Sequence, residues 1–108
     1  MAYWIYGNGR KKNEFTLIIA LDCGIRAVKQ IEYANDLNID YIICDHHNPG
    51  EIIPAAKAIL NPKQLSCNYK FKELSGCGVG FKLIQAFCIK RNINSNKLTP
   101  LLDLLAIS

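Results

Sequence analysis

No apolar run in this chain approaches the roughly 18 residues that a membrane-spanning helix needs. Residues 1–10 mix aromatic, glycine and polar side chains and lack the basic-then-apolar layout of a secretory signal. The expected setting is therefore soluble and cytoplasmic, with no membrane partner. No CxxC pair occurs among the five cysteines, Cys23, Cys44, Cys67, Cys77 and Cys88. An odd count without that spacing excludes a stapled secreted mini-domain and points to reduced thiols. There is no internal repeat and no low-complexity tract. Charge of neither sign dominates: 13 Lys and Arg stand against 9 Asp and Glu, a net charge of +4. That balance is compatible with a phosphate-bearing partner but too small to imply one. Arg10-Lys11-Lys12 is the one basic cluster, and a solvated surface turn accounts for it.

What is present is ordinary globular material. The 108 residues are 50% apolar and 20% charged, which allows one small domain and argues against disorder over most of the chain. Residues 1–13 show no clear period, and Gly7-Asn8-Gly9 is a turn signal. From Phe15 to Leu21 runs a continuous, β-branched apolar stretch that predicts a strand buried on both faces. It ends at Asp22-Cys23-Gly24. A helix is expected over about Arg26 to Asn38, with Ala27, Ile31 and Ala34 on one stripe. A second strand, Ile39 to Cys44, leads into Asp45-His46-His47.

Strand, helix, strand is one βαβ unit, and the fold class is α/β with parallel strands and a right-handed crossover. Parallel strands end on the same edge of the sheet, so Asp22 and Asp45 are expected on one rim, about 5 Å apart if their strands are neighbours. That edge is where open α/β sheets bind ligands. Beyond it, Pro54 to Ala58 suggests a helical turn, Ile59-Leu60 a short strand, and residues 63–73 a polar loop. Ser75 to Gly80 leads into a helix reaching about Lys90, with Val79, Leu83 and Phe87 on its apolar face. Residues 92–97 read as a loop. Thr99 is then placed to cap a last helix with Pro100 at its first position. The apolar stretch at Ser108 suggests a partial domain.

Asp45-His46-His47 offers a hard oxygen and two imidazoles at a strand end. That donor mix suits Mn, Zn or Fe better than Ca. The competing reading is a polar turn with surface histidines. Asp22 adds a second carboxylate at the matching strand end, where a divalent cation relieves the repulsion and desolvation of clustered acids. Its alternative is an N-cap for the following helix. Cys23 and Cys44 each flank an Asp and supply a zinc-site alternative, but strand alternation turns them to the other face and into the core. Gly76, Gly78 and Gly80 at a helix start, followed by Lys82, offer a phosphate cradle. The segment fits neither GxGxxG nor a P-loop, and a tight turn for close helix packing explains it as well. Asp103 is explained by the helix dipole.

Taken together, Leu21-Asp22-Cys23-Gly24-Ile25, Asp45-His46-His47, Asn61-Pro62-Lys63 and the run from Lys72 to Leu83 resemble RecJ-type exonucleases of the DHH phosphoesterase family, in order and spacing from about Thr16 to Ala106. The long glycine segment favours that type over relatives that cleave short oligonucleotides, cyclic dinucleotides or pyrophosphate. The resemblance implies a three-layer α/β sandwich with a mainly parallel sheet, here truncated at both ends: an irregular segment over residues 1–14 and a partial domain over residues 15–108. It implies a Mn2+- or Mg2+-dependent phosphodiesterase that degrades single-stranded DNA from the 5′ end in DNA repair and recombination. It makes Asp22 and His46 metal ligands and places Asp45 and His47 in the catalytic signature, His47 near the scissile phosphate. Other readings are a DHH phosphodiesterase of short oligonucleotides or cyclic dinucleotides, and a noncatalytic α/β binding module.

The sequence departs from the family pattern in two places. The family's first motif carries two aspartates in a D-x-D arrangement, whereas the only acid before Asp22 is Glu14. Its fourth motif carries a metal aspartate beyond a segment like residues 101–106, and Asp103 resembles the acid upstream of that ligand. The expectation is that this polypeptide alone binds metal weakly and has little or no nuclease activity.

Overall fold

Two apolar runs separated by an amphipathic stretch resolve into a βαβ unit, as their patterns require. In the computed structural model, which describes residues 15–107, β1 (Leu17–Leu21) is followed by α1 (Val28–Asp36), β2 (Asp40–Cys44) and β3 (Ala58–Leu60). After these come α2 (Gly76–Lys90), a 3-10 helix (Ser95–Leu101) and α3 (Leu102–Ala106). The irregular segment expected over residues 1–14, with its glycine turn and basic triplet, lies outside the described residues, as does Ser108.

The strands form a three-stranded parallel sheet in the order β1-β2-β3. Leu21 pairs with Cys44 and Cys44 with Leu60, so the three strands end level. Asp22, Asp45 and Asn61, the next residues of each, therefore emerge on one rim. Ile31 and Ala34 of α1 pack with Ala20, Tyr41 and Ile43 on one face of the sheet. On the other face α2 crosses β1 and β2, with Gly80 against the Leu21 side chain. Helix, sheet, helix is the expected α/β layering.

Both long helices stop at an asparagine in the left-handed region, Asn38 (φ 57°) and Asn92 (φ 53°). In each case the following N–H reaches back to close the turn, Ile39 to the Ala34 carbonyl and Ile93 to the Cys88 carbonyl.

The details depart from the sequence reading at four points. β1 is not buried on both faces: Leu17, Ile19 and Leu21 are 46%, 47% and 58% exposed. It is an edge strand among the described residues, and α2 approaches only near its C-terminal end. α1 starts at Val28, and no side chain caps it, so Asp22 is not its N-cap. Residues 54–57 form no helical turn, because Lys57 N–H bonds to the Tyr41 carbonyl and draws the segment into the sheet. The last helix does not begin at a Thr99 cap. Asn94 accepts from the Asn96 N–H and starts a 3-10 helix inside which Pro100 lies.

Candidate metal centre

The rim is built by three turns that lock one another. Asp22 sits at φ 61°, a left-handed conformation that an aspartate tolerates better than most residues. Its N–H donates to the Cys44 carbonyl at 2.8 Å, extending the β1–β2 ladder by one bond. Gly24 follows at φ 111°, a value that calls for glycine, and folds the chain back so that Ile25 is buried. There the Ile25 N–H donates to Asp45 Oδ2 at 2.9 Å.

Asp45 is the knot of the site. It is 1% exposed, yet both carboxylate oxygens are occupied. Oδ1 accepts from the N–H groups of His46 at 2.8 Å and His47 at 3.2 Å. His47 Nδ1 lies 2.6 Å from the same oxygen. Burial pushes the Asp45 carboxyl up, but the donations from Ile25, His47 and His46 outweigh it and hold it below the usual carboxylate range. The carboxylate is thus ionised and already satisfied by protein. From the third strand end, the Asn61 side chain, 3% exposed, donates to the His47 carbonyl at 2.9 Å and accepts from the Lys63 N–H at 2.8 Å.

With the turns fixed, the side chains left over converge. Asp22 Oδ1 lies 3.1 Å from His46 Nε2. The His46 and His47 rings meet edge to face, 4.7 Å between centroids. Asp22, His46 and His47 can each present one donor atom, all within 4.8 Å of one another. One carboxylate and two imidazoles is a borderline-hard donor set of the kind that takes Mn2+ or Zn2+. Two ligands bound cis at about 2.1 Å to one cation lie about 3 Å apart, and the Asp22–His46 spacing meets that condition. The residues present therefore fit a divalent cation.

The other candidates are placed elsewhere. Cys44 is fully buried and Cys23 packs against the core cluster. Burial pushes both thiols up, and the charges of Asp45 and Asp22 raise Cys23 further, so neither is poised as a thiolate ligand. The glycine segment serves packing rather than an open cradle. Gly78 lies against Leu74 and Gly80 against Leu21, both buried in α2, while Ser75 accepts from the Gly78 N–H as the helix cap. Gly76 abuts the Asp22 carboxylate itself. Lys82 Nζ donates to Gln85 on its own helix at 3.1 Å.

Sequence reasoning named Asn61 and Gly76 but missed the role of each in building the rim. Asn61 follows the third strand and shares the rim for the same topological reason as Asp22 and Asp45, so the level strand ends were the available signal. Gly76 supports Asp22 across 54 positions, a contact that no local pattern announces.

The comparisons with known proteins agree with this architecture. The family model "DHH family, N-terminal domain" matches residues 1–108. Single-stranded-DNA-specific exonuclease RecJ of Bacillus subtilis (strain 168) is 51% identical over 76 residues, covering 70% of this chain and 10% of that protein. The RecJ of Escherichia coli (strain K12) is 41% identical over 100 residues, covering 84% of this chain and 17% of that protein. The chain thus spans between a tenth and a fifth of the curated relatives' length. A crystal structure of exonuclease RecJ bound to manganese superposes with a TM-score of 0.60 at 29% identity, over 69% of this chain and 19% of that one.

Proposed function

The chain belongs to the DHH family, and from that premise we propose that its strand rim is the divalent-metal centre of a phosphodiesterase acting on single-stranded DNA, of the 5′-to-3′ exonuclease type. The observation that carries the reading is the convergence of Asp22 and His46 at 3.1 Å, with His47 beside them on the same rim. The named relatives are single-strand-specific exonucleases, and the structural neighbour holds manganese. Mn2+ or Mg2+ is the proposed cofactor, single-stranded DNA the partner, and the cytoplasm, in DNA repair and recombination, the setting. Residues 15–108 are read as part of one DHH domain.

Asp22 and His46 hold the cation, which when bound supplies Lewis-acid polarisation and charge neutralisation at phosphorus. Asp45 acts through its neighbours as a positioning residue. Being ionised and buried, it requires a proton on His47 Nδ1, which leaves His47 Nε2 directed to substrate. From there His47 meets the scissile phosphate. Two protein ligands, Asp22 and His46, would leave the rest of the cation's shell to water. Weak metal binding and little or no hydrolysis are therefore expected of this polypeptide by itself.

A chimera tests the function. The matching 76 residues of Bacillus subtilis RecJ are replaced by those of this chain. The product is assayed with Mn2+ on long single-stranded DNA, dinucleotides and cyclic dinucleotides. Processive loss of the long strand, abolished by His46→Ala, is the expected result. A folded chimera that prefers dinucleotides, or that binds DNA without cutting it, contradicts the proposal.

A further inference from the structure

Beside the metal cluster lies a cavity of about 500 Å3. Asp22, Asp45 and His47 are among the residues that line it, as are Arg26, Ala27 and Gln30. Among the described residues, Arg26 is the only lysine or arginine that lines it. Its Nε–H donates to the Asn48 carbonyl at 2.9 Å, and its aliphatic stem lies against Gly50. These contacts pin the guanidinium to the turn that follows His47.

Two carboxylates also line this cavity, yet neither pairs with the arginine. Asp22 turns to His46, and Asp45 is occupied by His47 and three backbone donors. Among the described residues the Nη groups of Arg26 have no protein partner, and the residue lines the cavity. Guanidinium forks bind phosphate oxygens in pairs, with geometry as well as charge. A space of this size takes a phosphate and its sugar.

We propose that this cavity is a second phosphate subsite, in which Arg26 grips the phosphate adjoining the one held at the Asp22–His46–His47 cluster. The inference rests on the metal-centre reading and deepens it. It makes the site select substrates with two consecutive phosphates over an isolated phosphodiester, and Gln30 bounds the subsite from the first turn of α1.

The test measures binding of TpT, pTpT and TpTpT to the whole chain in Mn2+ by calorimetry. TpT offers one phosphate, pTpT adds a terminal monoester and TpTpT adds an internal diester. At least one of the latter two is expected to bind about tenfold or more tightly than TpT. Which of the two gains more tells a terminal from an internal phosphate. Arg26→Gln is expected to erase the preference while leaving TpT and Mn2+ affinities unchanged, which also shows that the rim is intact. Arg26→Lys restores only part of it, since charge returns without the fork. Lys90→Gln, an equal charge change at the exposed end of α2, leaves it in place. Equal affinities for all three ligands in the wild-type chain, or a preference that survives Arg26→Gln, overturn the proposal. A Mn2+ titration on the same samples separates the two readings. Mn2+ bound with no preference sinks the subsite alone, whereas a preference without Mn2+ binding sinks the metal centre alone.

Discussion

Gly76→Ala is expected to lower the affinity for Mn2+ by about tenfold or more, although residue 76 donates no ligand. A Cβ built there meets the Asp22 side chain head on, with Cγ at 2.5 Å, Cβ at 2.8 Å and Oδ1 closer still. Neither partner has an easy retreat. The Asp22 backbone is held at φ 61° by its bond to the Cys44 carbonyl, so its Cβ cannot swing away. Helix α2 cannot simply lift off, because its next turns pack through Gly80 onto Leu21 and through Val79 into the interior. The least costly relief is rotation of the carboxylate away from His46, which opens the 3.1 Å spacing on which a shared cation depends. Overpacking of this kind also costs about 1–3 kcal/mol of stability. Calorimetry for Mn2+ and thermal unfolding check the two parts separately. A variant that is destabilised but binds Mn2+ as the wild type does would refute the seating role of Gly76.

Asp45→Asn is expected to be the most damaging single substitution for the fold of the rim. Asp45 receives four donations, and an amide accepts only through its one oxygen. Its NH2 group would face N–H donors in a site that is 1% exposed. Leaving one or two buried donors unsatisfied costs about 1–3 kcal/mol each. Mn2+ binding should fall as well, since the His46 and His47 turns lose their common anchor. The pH dependence gives an independent signature. The folded-state pKa of Asp45 lies below its unfolded value, so its contribution to stability is present in full above the unfolded value of about 3.9 and is lost as pH falls through the folded value. Wild-type stability should hold near neutrality and decline below about pH 4, and the Asn variant should lose that part of the decline. Urea unfolding at a series of pH values measures it. An Asn variant with unchanged stability and an unchanged acid slope would show that Asp45 is not the anchor described.

The part of the site that was legible in the sequence is the part set by topology. Two apolar runs flanking a helix fix parallel strands, parallel strands fix a common end, and Asp22 and Asp45-His46-His47 stand one residue beyond those ends. Nothing more than the handedness and pairing rules of βαβ units is needed to bring them to one rim. Tertiary competition decided what the sequence did not disclose. The exposure of Leu17, Ile19 and Leu21 depends on what covers β1, not on its own residues. Residues 54–57 have local leanings toward a turn, but a bond to the Tyr41 carbonyl overrides them. The last helix moved because the Asn94 side chain caps earlier than Thr99. Within the site, His46 and His47 are adjacent in sequence but diverge in role for a reason visible only in space. Asp45 captures Nδ1 of the second ring and leaves the first to face Asp22.

The direct test of the account is a Mn2+ titration of the whole chain and of Asp22→Ala, His46→Ala and the Cys23→Ala control, followed by calorimetry and by electron paramagnetic resonance of the free ion. One weakly bound Mn2+ per chain is predicted, with binding lost in both ligand variants and retained in the control, where the thiol packs against the core. A wild-type chain that binds no Mn2+ at millimolar concentrations, or one whose binding survives both Asp22→Ala and His46→Ala, contradicts a cation shared between these two side chains.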